Sequence, residues 1–200
     1  KNVLPFMGTP LISRTIKEAR KSVYIDNIIC STDCENIKKI AVKNKCSVPF
    51  LRPKYLSKNN TSTLEVLSHL CKKIHGFFYI VLLQPTSPLR IFKDIDQSIL
   101  KCEKENAYSV VSVNKLEKSS DWMFHLDKKM RPLISNVDYN KRRQKLKNLY
   151  ILNGAVYVIR VSNILKRLPI INKNSVVHKM PLERSIDIDN KFDFKLAEII

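Results

Sequence analysis

Two aspartates near the end of the sequence have a spacing that suits a metal ion. In the run 185–189, Ser-Ile-Asp-Ile-Asp, Asp187 and Asp189 alternate with two isoleucines. Alternate side chains of a strand point to opposite faces, so the two carboxylates are predicted to lie on one face. Two carboxylates, completed by water and substrate phosphates, commonly hold Mg²⁺ where phosphoryl groups are transferred. The spacing leaves open a structural alternative, in which Asp189 only caps the helix predicted after it.

A loop after a predicted buried strand carries a second polar set. Residues 77–83 are apolar, rich in strand formers and too few for an ordinary helix, and the two prolines that follow end the strand and stiffen the loop. Such strand ends are where ligands bind in open α/β sheets. The loop offers amide, hydroxyl and guanidinium groups to an anionic ligand from Gln84, Thr86, Ser87 and Arg90. A loop of this composition is as often merely a turn.

Other polar residues give weaker indications of a ligand site. Arg52 and residues 61–63 could form a donor-rich pocket, or be a surface arginine and a helix cap. The four histidines share no metal or triad spacing, so we interpret them as packing or surface residues. The chain has three glycines and therefore no glycine-rich loop to hold phosphates.

Strands and helices alternate along the chain. Apolar spacing and capping signals predict helices at residues 11–19, 37–41, 64–74, 94–103, 162–168 and 191–200. Strands are predicted at residues 27–32, 77–83, 107–113, 153–159 and 185–189. Residues 114–148 are predicted to form an excursion with short strands and a mobile basic loop. The pattern indicates one domain with a three-layer α/β fold and a mainly parallel sheet.

The sequence is strongly basic, with 36 Lys and Arg against 18 Asp and Glu and a net charge of +18. The charge is spread along the chain, with one dense cluster at residues 141–147, and no basic stripe interleaved with aromatic residues is visible. Nucleic-acid binding is therefore a minor alternative, and a lysine-rich solvated surface is favoured, although an anionic small substrate would also be attracted.

The remaining composition predicts a soluble, cytoplasmic protein without membrane insertion. No apolar run reaches the roughly 18 residues of a membrane span, and the start lacks the apolar core of a secretory signal. The five cysteines are scattered and form no Cys-x-x-Cys pair, so we interpret them as reduced small hydrophobic residues.

Several segments resemble, in order, the acylneuraminate cytidylyltransferases, also called CMP-sialic acid synthetases, including bacterial enzymes for legionaminic acid. They are Ser-Thr-Asp at 31–33, Phe-Leu-Arg-Pro at 50–53, Leu-Leu-Gln-Pro-Thr-Ser-Pro-Leu-Arg at 82–90, Ser-Val-Val-Ser-Val at 109–113, Asn-Gly-Ala-Val-Tyr at 153–157 and Arg-Ser-Ile-Asp-Ile-Asp at 184–189. The third and the last are together specific. The resemblance covers nearly the whole chain.

The resemblance implies a reaction in which a nonulosonic acid attacks the α-phosphate of CTP, giving a CMP-sugar and pyrophosphate with Mg²⁺ as cofactor. It implies that the metal is held by Asp187 and Asp189. Residues at the nucleotide and its phosphates would be Lys1 and Asn2, with Lys1 in a catalytic role. Cytosine recognition would fall to Arg52, Thr61 and Thr63, and sugar binding to Gln84, Arg143 and Tyr157.

The resemblance also implies features outside and between these segments. Members begin with a strand and a loop of the form Ala-Arg-x-x-Ser-Lys-Gly before the pair that is Lys1-Asn2 here, and the sequence as given starts after that loop. Members are typically dimers, and residues 114–175 are the expected dimerisation element. The alternatives are a catalytically inactive nucleotide-binding relative and a 3-deoxy-octulosonate cytidylyltransferase.

Overall fold

A four-stranded sheet forms the centre of the protein. The structure is a computed structural model, and it describes residues 1–117, 123, 125–133 and 148–200. The strands lie in the order β3 (Tyr79–Leu82), β7 (Tyr150–Arg160), β4 (Ser109–Lys115) and β8 (Val176–Lys179). Two short hairpins stand apart from it, β1 (Pro5–Phe6) with β2 (Thr9–Pro10) and β5 (His125–Leu126) with β6 (Pro132–Leu133).

Helices cover both faces of this sheet. They are α1 (Leu11–Lys21), α2 (Glu35–Lys43), α3 (Thr63–Cys71), α4 (Phe92–Lys104), α5 (Val161–Leu165) and α6 (Lys191–Ile199). On one face, α1 and α4 bury residues such as Ala19 and Ile95 against Val158 of β7. On the other, α3 and α5 pack against the neighbouring Ile159. The three-layer α/β prediction is therefore confirmed.

Strand direction differs in part from the predicted mainly parallel sheet. Strands β3 and β4, which α4 connects, both pair antiparallel with β7, and β4 pairs parallel with β8. The helix-connected strands thus run the same way, as a crossover connection requires. Strand β7 runs the other way because it begins beside the end of β4, where Tyr150 pairs with Lys115, and it lies between β3 and β4.

Three local predictions differ from the structure. Residues 27–32 form no strand and make only an isolated bridge, between Ile29 and Ser47. Residues 185–189 do not pair as a strand. Strand β8 was not predicted, because Val176-Val177 is too short a run to stand out.

A groove continues the sheet layer beyond β3. It has a volume of about 570 Å³, and its apolar lining comes from Ile16 and Ala19 of α1, Leu70 of α3, Val81 of β3 and Ile28. In the described part of the chain, β3 pairs with β7 alone, so its other edge faces this groove. Residues 28–30 bond Ser47 and line the groove as well.

Two further observations concern the whole described chain. All five cysteines have free thiols. Among the residues that the structure describes, no helix combines the length and apolar character needed to cross a membrane.

Candidate active site

Three segments that are distant in the sequence converge beyond the carboxyl end of β3. Gly154 has a φ of +71°, and a Cβ built there would collide with Oε1 of Gln84 and lie 3.5 Å from Oδ2 of Asp187. The Gln84 amide therefore rests on the bare Gly154 backbone, beside the Asp187 carboxylate. The structure brings together the polar loop after β3, the middle of β7 and the Ser-Ile-Asp-Ile-Asp run.

The two aspartates of that run have different surroundings. Ile186 and Ile188 pack into a core cluster, and the amide of Ile188 donates to the carbonyl of Thr86 at 2.8 Å. The Oδ1 atom of Asp187 is buried without a hydrogen-bond partner in the described part of the protein. Asp189 is exposed and forms an ion pair of 3.2 Å with Nζ of Lys1. The two isoleucines pack inward as the alternation predicts, although the segment is not a strand.

The capping alternative for Asp189 is wrong. The residue at the start of α6 whose side chain accepts the free helix amides is Asn190, from Phe192 and Asp193. The side chain of Asp193 in turn accepts from the amides of Asp189 and Asn190. The Asp189 carboxylate is thus available to a cation or a ligand.

Half of the loop after β3 is structural rather than ligand-binding. Ser87 is fully buried and donates to the carbonyl of Asn153 at 3.3 Å. Arg90 is 2% exposed and donates to the carbonyls of Gln84 and Ala155, at 3.1 and 2.8 Å. Its burial lowers its pKa to about 10. Gln84, one of the four polar side chains predicted for this loop, lies beside Asp187 at Gly154.

A buried amide that sequence reasoning did not single out connects the same segments. Asn153 is 4% exposed; its Oδ1 accepts from Ser112 of β4 at 2.6 Å, and its Nδ2 donates to Ser185 at 2.9 Å. Strand β4, the loop at Ser87 and the aspartate run are thereby fixed to one residue of β7. The signal in the sequence was that Asn153 begins the segment 153–157 that carries the resemblance, but no role was predicted for its side chain.

The predicted nucleotide residues divide into two groups. Asn2 and Arg52 line the groove beyond β3, as does Gln84, which the resemblance assigns to the sugar. Arg52 is oriented by Ser57, which accepts from its Nε at 3.1 Å, and by Asp33 at 3.5 Å. Thr61 and Thr63 are outside the groove lining; the Thr61 hydroxyl donates to the carbonyl of Tyr55, and Thr63 begins α3.

The remaining sugar-site residues are Tyr157 and Arg143. Tyr157 is half-buried in β7, and burial, followed by the negative charge of Asp187, raises its pKa. Its phenol therefore stays protonated and can donate a hydrogen bond beside that carboxylate. Arg143 lies outside the described residues.

Two solved structures share this fold. One is CMP:2-keto-3-deoxy-manno-octonic acid synthetase complexed with CTP, with a TM-score of 0.75 and 11% identity over 100% of this chain and 90% of that chain. The other is 4-diphosphocytidyl-2C-methyl-D-erythritol synthase from Anaerococcus prevotii, with a TM-score of 0.67 and 13% identity over 99% and 91%. The fold is that of the three-layer α/β nucleotidyltransferases.

Sequence comparison identifies the family to which this chain belongs. The profile of the cytidylyltransferase family matches residues 1–197, and the chain belongs to that family. It is 30% identical to the N-acylneuraminate cytidylyltransferase of Escherichia coli over 98% of this chain and 47% of the relative. It is also 28% identical to the CMP-N,N'-diacetyllegionaminic acid synthase of Legionella pneumophila, over 99% of this chain and 88% of the relative.

The lengths of these relatives differ. This chain spans about half of the N-acylneuraminate cytidylyltransferases that it matches, at 47% and 48% of their lengths. It spans 88% of the Legionella relative and 88% of the pseudaminic acid cytidylyltransferase of Campylobacter jejuni. The matched part is in each case nearly the whole of this chain.

Proposed function

We propose that this chain transfers CMP from CTP to the anomeric hydroxyl of a nonulosonic acid. The hydroxyl oxygen forms a bond to the α-phosphorus, the bond from that phosphorus to the bridging oxygen breaks, and pyrophosphate leaves while the hydroxyl proton is lost. Membership of the cytidylyltransferase family supports the reaction class, and the relatives named for sialic, legionaminic and pseudaminic acids support the acceptor class. A cytoplasmic location is part of the proposal, because the reaction consumes a nucleoside triphosphate.

The observation that carries the proposal is the meeting of Gln84, Gly154 and Asp187 beyond the end of β3. The carboxylate of Asp187 and the neutral amide of Gln84 meet there, and the charge of Asp187 acts on the protonated phenol of Tyr157. The phenol and the amide can donate to acceptor hydroxyl or carboxylate oxygens. Lys1 would neutralise phosphate charge, which matters because charge spreads over the phosphoryl oxygens as the bond breaks.

The same residues fit a Mg²⁺ ion, held by Asp187 and Asp189. The buried, unpartnered Oδ1 of Asp187 suits a cation, since an orphaned buried oxygen otherwise costs free energy. Among the described residues there is no cluster of three or more His, Cys, Asp or Glu, so the other ligands would be water and substrate phosphates. When bound, the ion would neutralise the charge that develops on the phosphates. Titration with Mn²⁺ followed by electron paramagnetic resonance measures this binding without turnover.

Cytosine recognition is proposed for Arg52, which lines the groove with its guanidinium oriented by Ser57. Asn2 lines the same groove and is proposed to contact the nucleotide. Thr61 and Thr63 are proposed to approach from the start of α3, and Arg143 to pair the carboxylate of the sugar acid.

The experiment is pyrophosphate release from CTP with a panel of acceptors. The panel contains sialic, legionaminic and pseudaminic acids and 3-deoxy-octulosonate, and the control replaces CTP with UTP. Turnover with one or more nine-carbon acids is expected. Turnover with 3-deoxy-octulosonate alone would favour the octulosonate alternative. CTP binding without turnover on any acceptor would favour an inactive relative.

A further strand is proposed to occupy the groove beyond β3 and to carry the loop of the form Ala-Arg-x-x-Ser-Lys-Gly. The groove continues the sheet layer, has apolar walls from both helix layers, and exposes one edge of β3. Residues 1–200 alone are compared with a version that carries such a strand and loop before Lys1. The extended version should be more active and more stable. Equal activity of the two would contradict the proposal.

A homodimer is proposed, with residues 114–175 as its dimerisation element. The described part of this segment has a row of half-exposed apolar side chains at the start of β7: Tyr150, Ile151 and Leu152 are 47%, 51% and 46% exposed. Light scattering after gel filtration measures the mass. Replacement of Ile151 by Lys should shift a dimer toward the monomer without affecting the sheet.

A further inference from the structure

One buried carboxylate pairs with an arginine just before the aspartate run and interacts electrostatically with a second, buried arginine. Asp94, in the first turn of α4, is 1% exposed. Arg184 binds it with two hydrogen bonds, from Nε to Oδ2 at 3.1 Å and from Nη2 to Oδ1 at 2.9 Å. The charge of Asp94 also stabilises the protonated form of buried Arg90. His178 of β8 lies 3.6 Å from Oδ1.

The two arginines, Arg90 and Arg184, hold different segments of the site. Arg90 donates to the carbonyls of Gln84 and Ala155, so it fixes the loop after β3 to β7. Arg184 ends a short 3-10 helix, Leu182–Arg184, three positions before Asp187. Bidentate pairing fixes the orientation of a guanidinium as well as its distance. The orientation of the chain entering the aspartate run is therefore set by Asp94.

Asp187 depends on its backbone for its position. Its buried Oδ1 has no hydrogen-bond partner within the described chain, so no contact of that atom holds the side chain in place. The backbone before it is fixed by Arg184 and by Ser185, whose hydroxyl accepts from Asn153. The backbone after it is fixed by the bond from the Ile188 amide to the Thr86 carbonyl. If the Arg184 anchor loosens, Ser185 is the anchor that remains on that side, and we expect Asp187 to shift from its place beside Gln84.

We propose that Asp94 and Arg184 are positioning residues, and that their bidentate pair holds the Asp187 carboxylate in register with Gln84 and Gly154. The inference rests on the function proposed above, because it assigns a purpose to the position of Asp187. Neither residue is proposed to touch a substrate.

The test compares R184K with a matched control, R160K. Lysine keeps the charge of Arg184 but cannot form the two parallel bonds. Arg160 also makes two side-chain hydrogen bonds, to Ala107 and Asn106, but these connect β7 to the chain before β4, among residues that do not line the site. The readouts are hydrogen exchange at the Ile188 amide, Mn²⁺ affinity and steady-state kinetics.

In R184K the Ile188 amide is expected to exchange about 10-fold faster, because the bidentate pair no longer opposes local opening of the segment. Affinity for Mn²⁺ should fall, and kcat should fall about 10-fold or more while KM for CTP stays within about threefold, as for a positioning effect. R160K should leave all three unchanged.

Three results would overturn the inference. One is unchanged exchange at Ile188 in R184K, another is faster exchange across the whole chain, and the third is failure of R184K to fold while R160K folds. The proposed function fails separately, if the wild-type chain turns over no acceptor. Exchange at Ile188 is measured on the free protein, so it still decides whether the pair holds the segment.

Discussion

The amide oxygen of Gln84 lies against the bare Cα of Gly154, so close that no side chain fits between them. The backbone of Gly154 has a positive φ of +71°, which other residues adopt at a cost. Two independent reasons therefore require glycine here, and they can be separated experimentally because Gly76 has a similar φ of +86° with open space around it.

Gly154→Ala is expected to destabilise the fold more than Gly76→Ala. Both changes place an alanine at a positive φ, which lowers the free energy of unfolding by roughly 1–2 kcal/mol. Only the first also displaces Gln84, so only the first should lower turnover. Urea unfolding and pyrophosphate release measure the two effects. Adding Gln84→Ala to Gly154→Ala should restore part of the stability but none of the activity. Equal stability losses at the two glycines would contradict the contact.

Asp187→Asn is expected to abolish turnover, by about 10³-fold or more, without unfolding the protein. The amide is isosteric but cannot supply a negative charge to a cation. Circular dichroism and pyrophosphate release are the measurements. Asp96→Asn is the matched control, because Asp96 accepts a hydrogen bond from Ser22, the residue after α1, and is not among the residues described for the site. Loss of the fold in Asp187→Asn would instead assign that carboxylate a structural role.

Lys1→Met and Asp189→Asn are expected to change activity but hardly affect stability. Their ion pair is exposed, at 46% and 78% of the two side chains, and such pairs contribute little to folding. Turnover should fall about 10-fold or more in each, as these groups are proposed to meet phosphate and metal. Lys38→Met, which breaks the exposed pair of Lys38 with Glu35, should affect neither. A clear drop in melting temperature for Lys1→Met would argue for a structural pair.

Asp94 should make the protein sensitive to acid. Burial alone would raise its pKa, but His178, Arg184 and the Ile91 amide outweigh burial and lower the pKa from 3.8 to about 2. A lowered carboxyl pKa stabilises the fold in full above about pH 4, and that stabilisation, about 2 kcal/mol, is lost as the pH falls toward 2.

The measurement is the free energy of unfolding between pH 6 and pH 2. In Asp94→Asn the stability at pH 6 should be lower, since Arg90 loses a buried counter-charge, and its decline between about pH 4 and 2 should be shallower. An equal slope in the variant and the wild type would show that Asp94 is not the group responsible.

The elements that could be predicted from the sequence are those with a strong local signal. Helix α1 and strands β3 and β4 were predicted within a few residues, because their apolar spacing is set by burial against the sheet. Strand direction was not, since an antiparallel β7 and a parallel one have the same apolar pattern. Residues 185–189 alternate like a strand, but their hydrogen bonds go to Thr86 and Asp193, so they do not pair in a sheet.

The residues of the candidate site also divide into those with a local signal in the sequence and those without one. Asp187 and Gln84 were found because carboxylates at alternate positions and a polar loop between prolines are visible locally. Asn153, Asp94 and Arg184 were missed, because each acts through a partner far away in the chain, such as Arg184 and Asp94, 90 positions apart. Ser87 and Arg90 were assigned to a ligand, because only the fold shows that they are buried and bonded to backbone carbonyls.

The groove beyond β3 has a consequence for how residues 1–200 should be handled. A strand of another molecule can pair with an open strand edge that has apolar walls. Such pairing can continue from one molecule to the next and so produce aggregates. We expect residues 1–200 to aggregate as their concentration rises, despite a net charge of +18 that keeps molecules apart at low salt. Raising the ionic strength screens that repulsion and leaves the edge unchanged, so salt should promote precipitation.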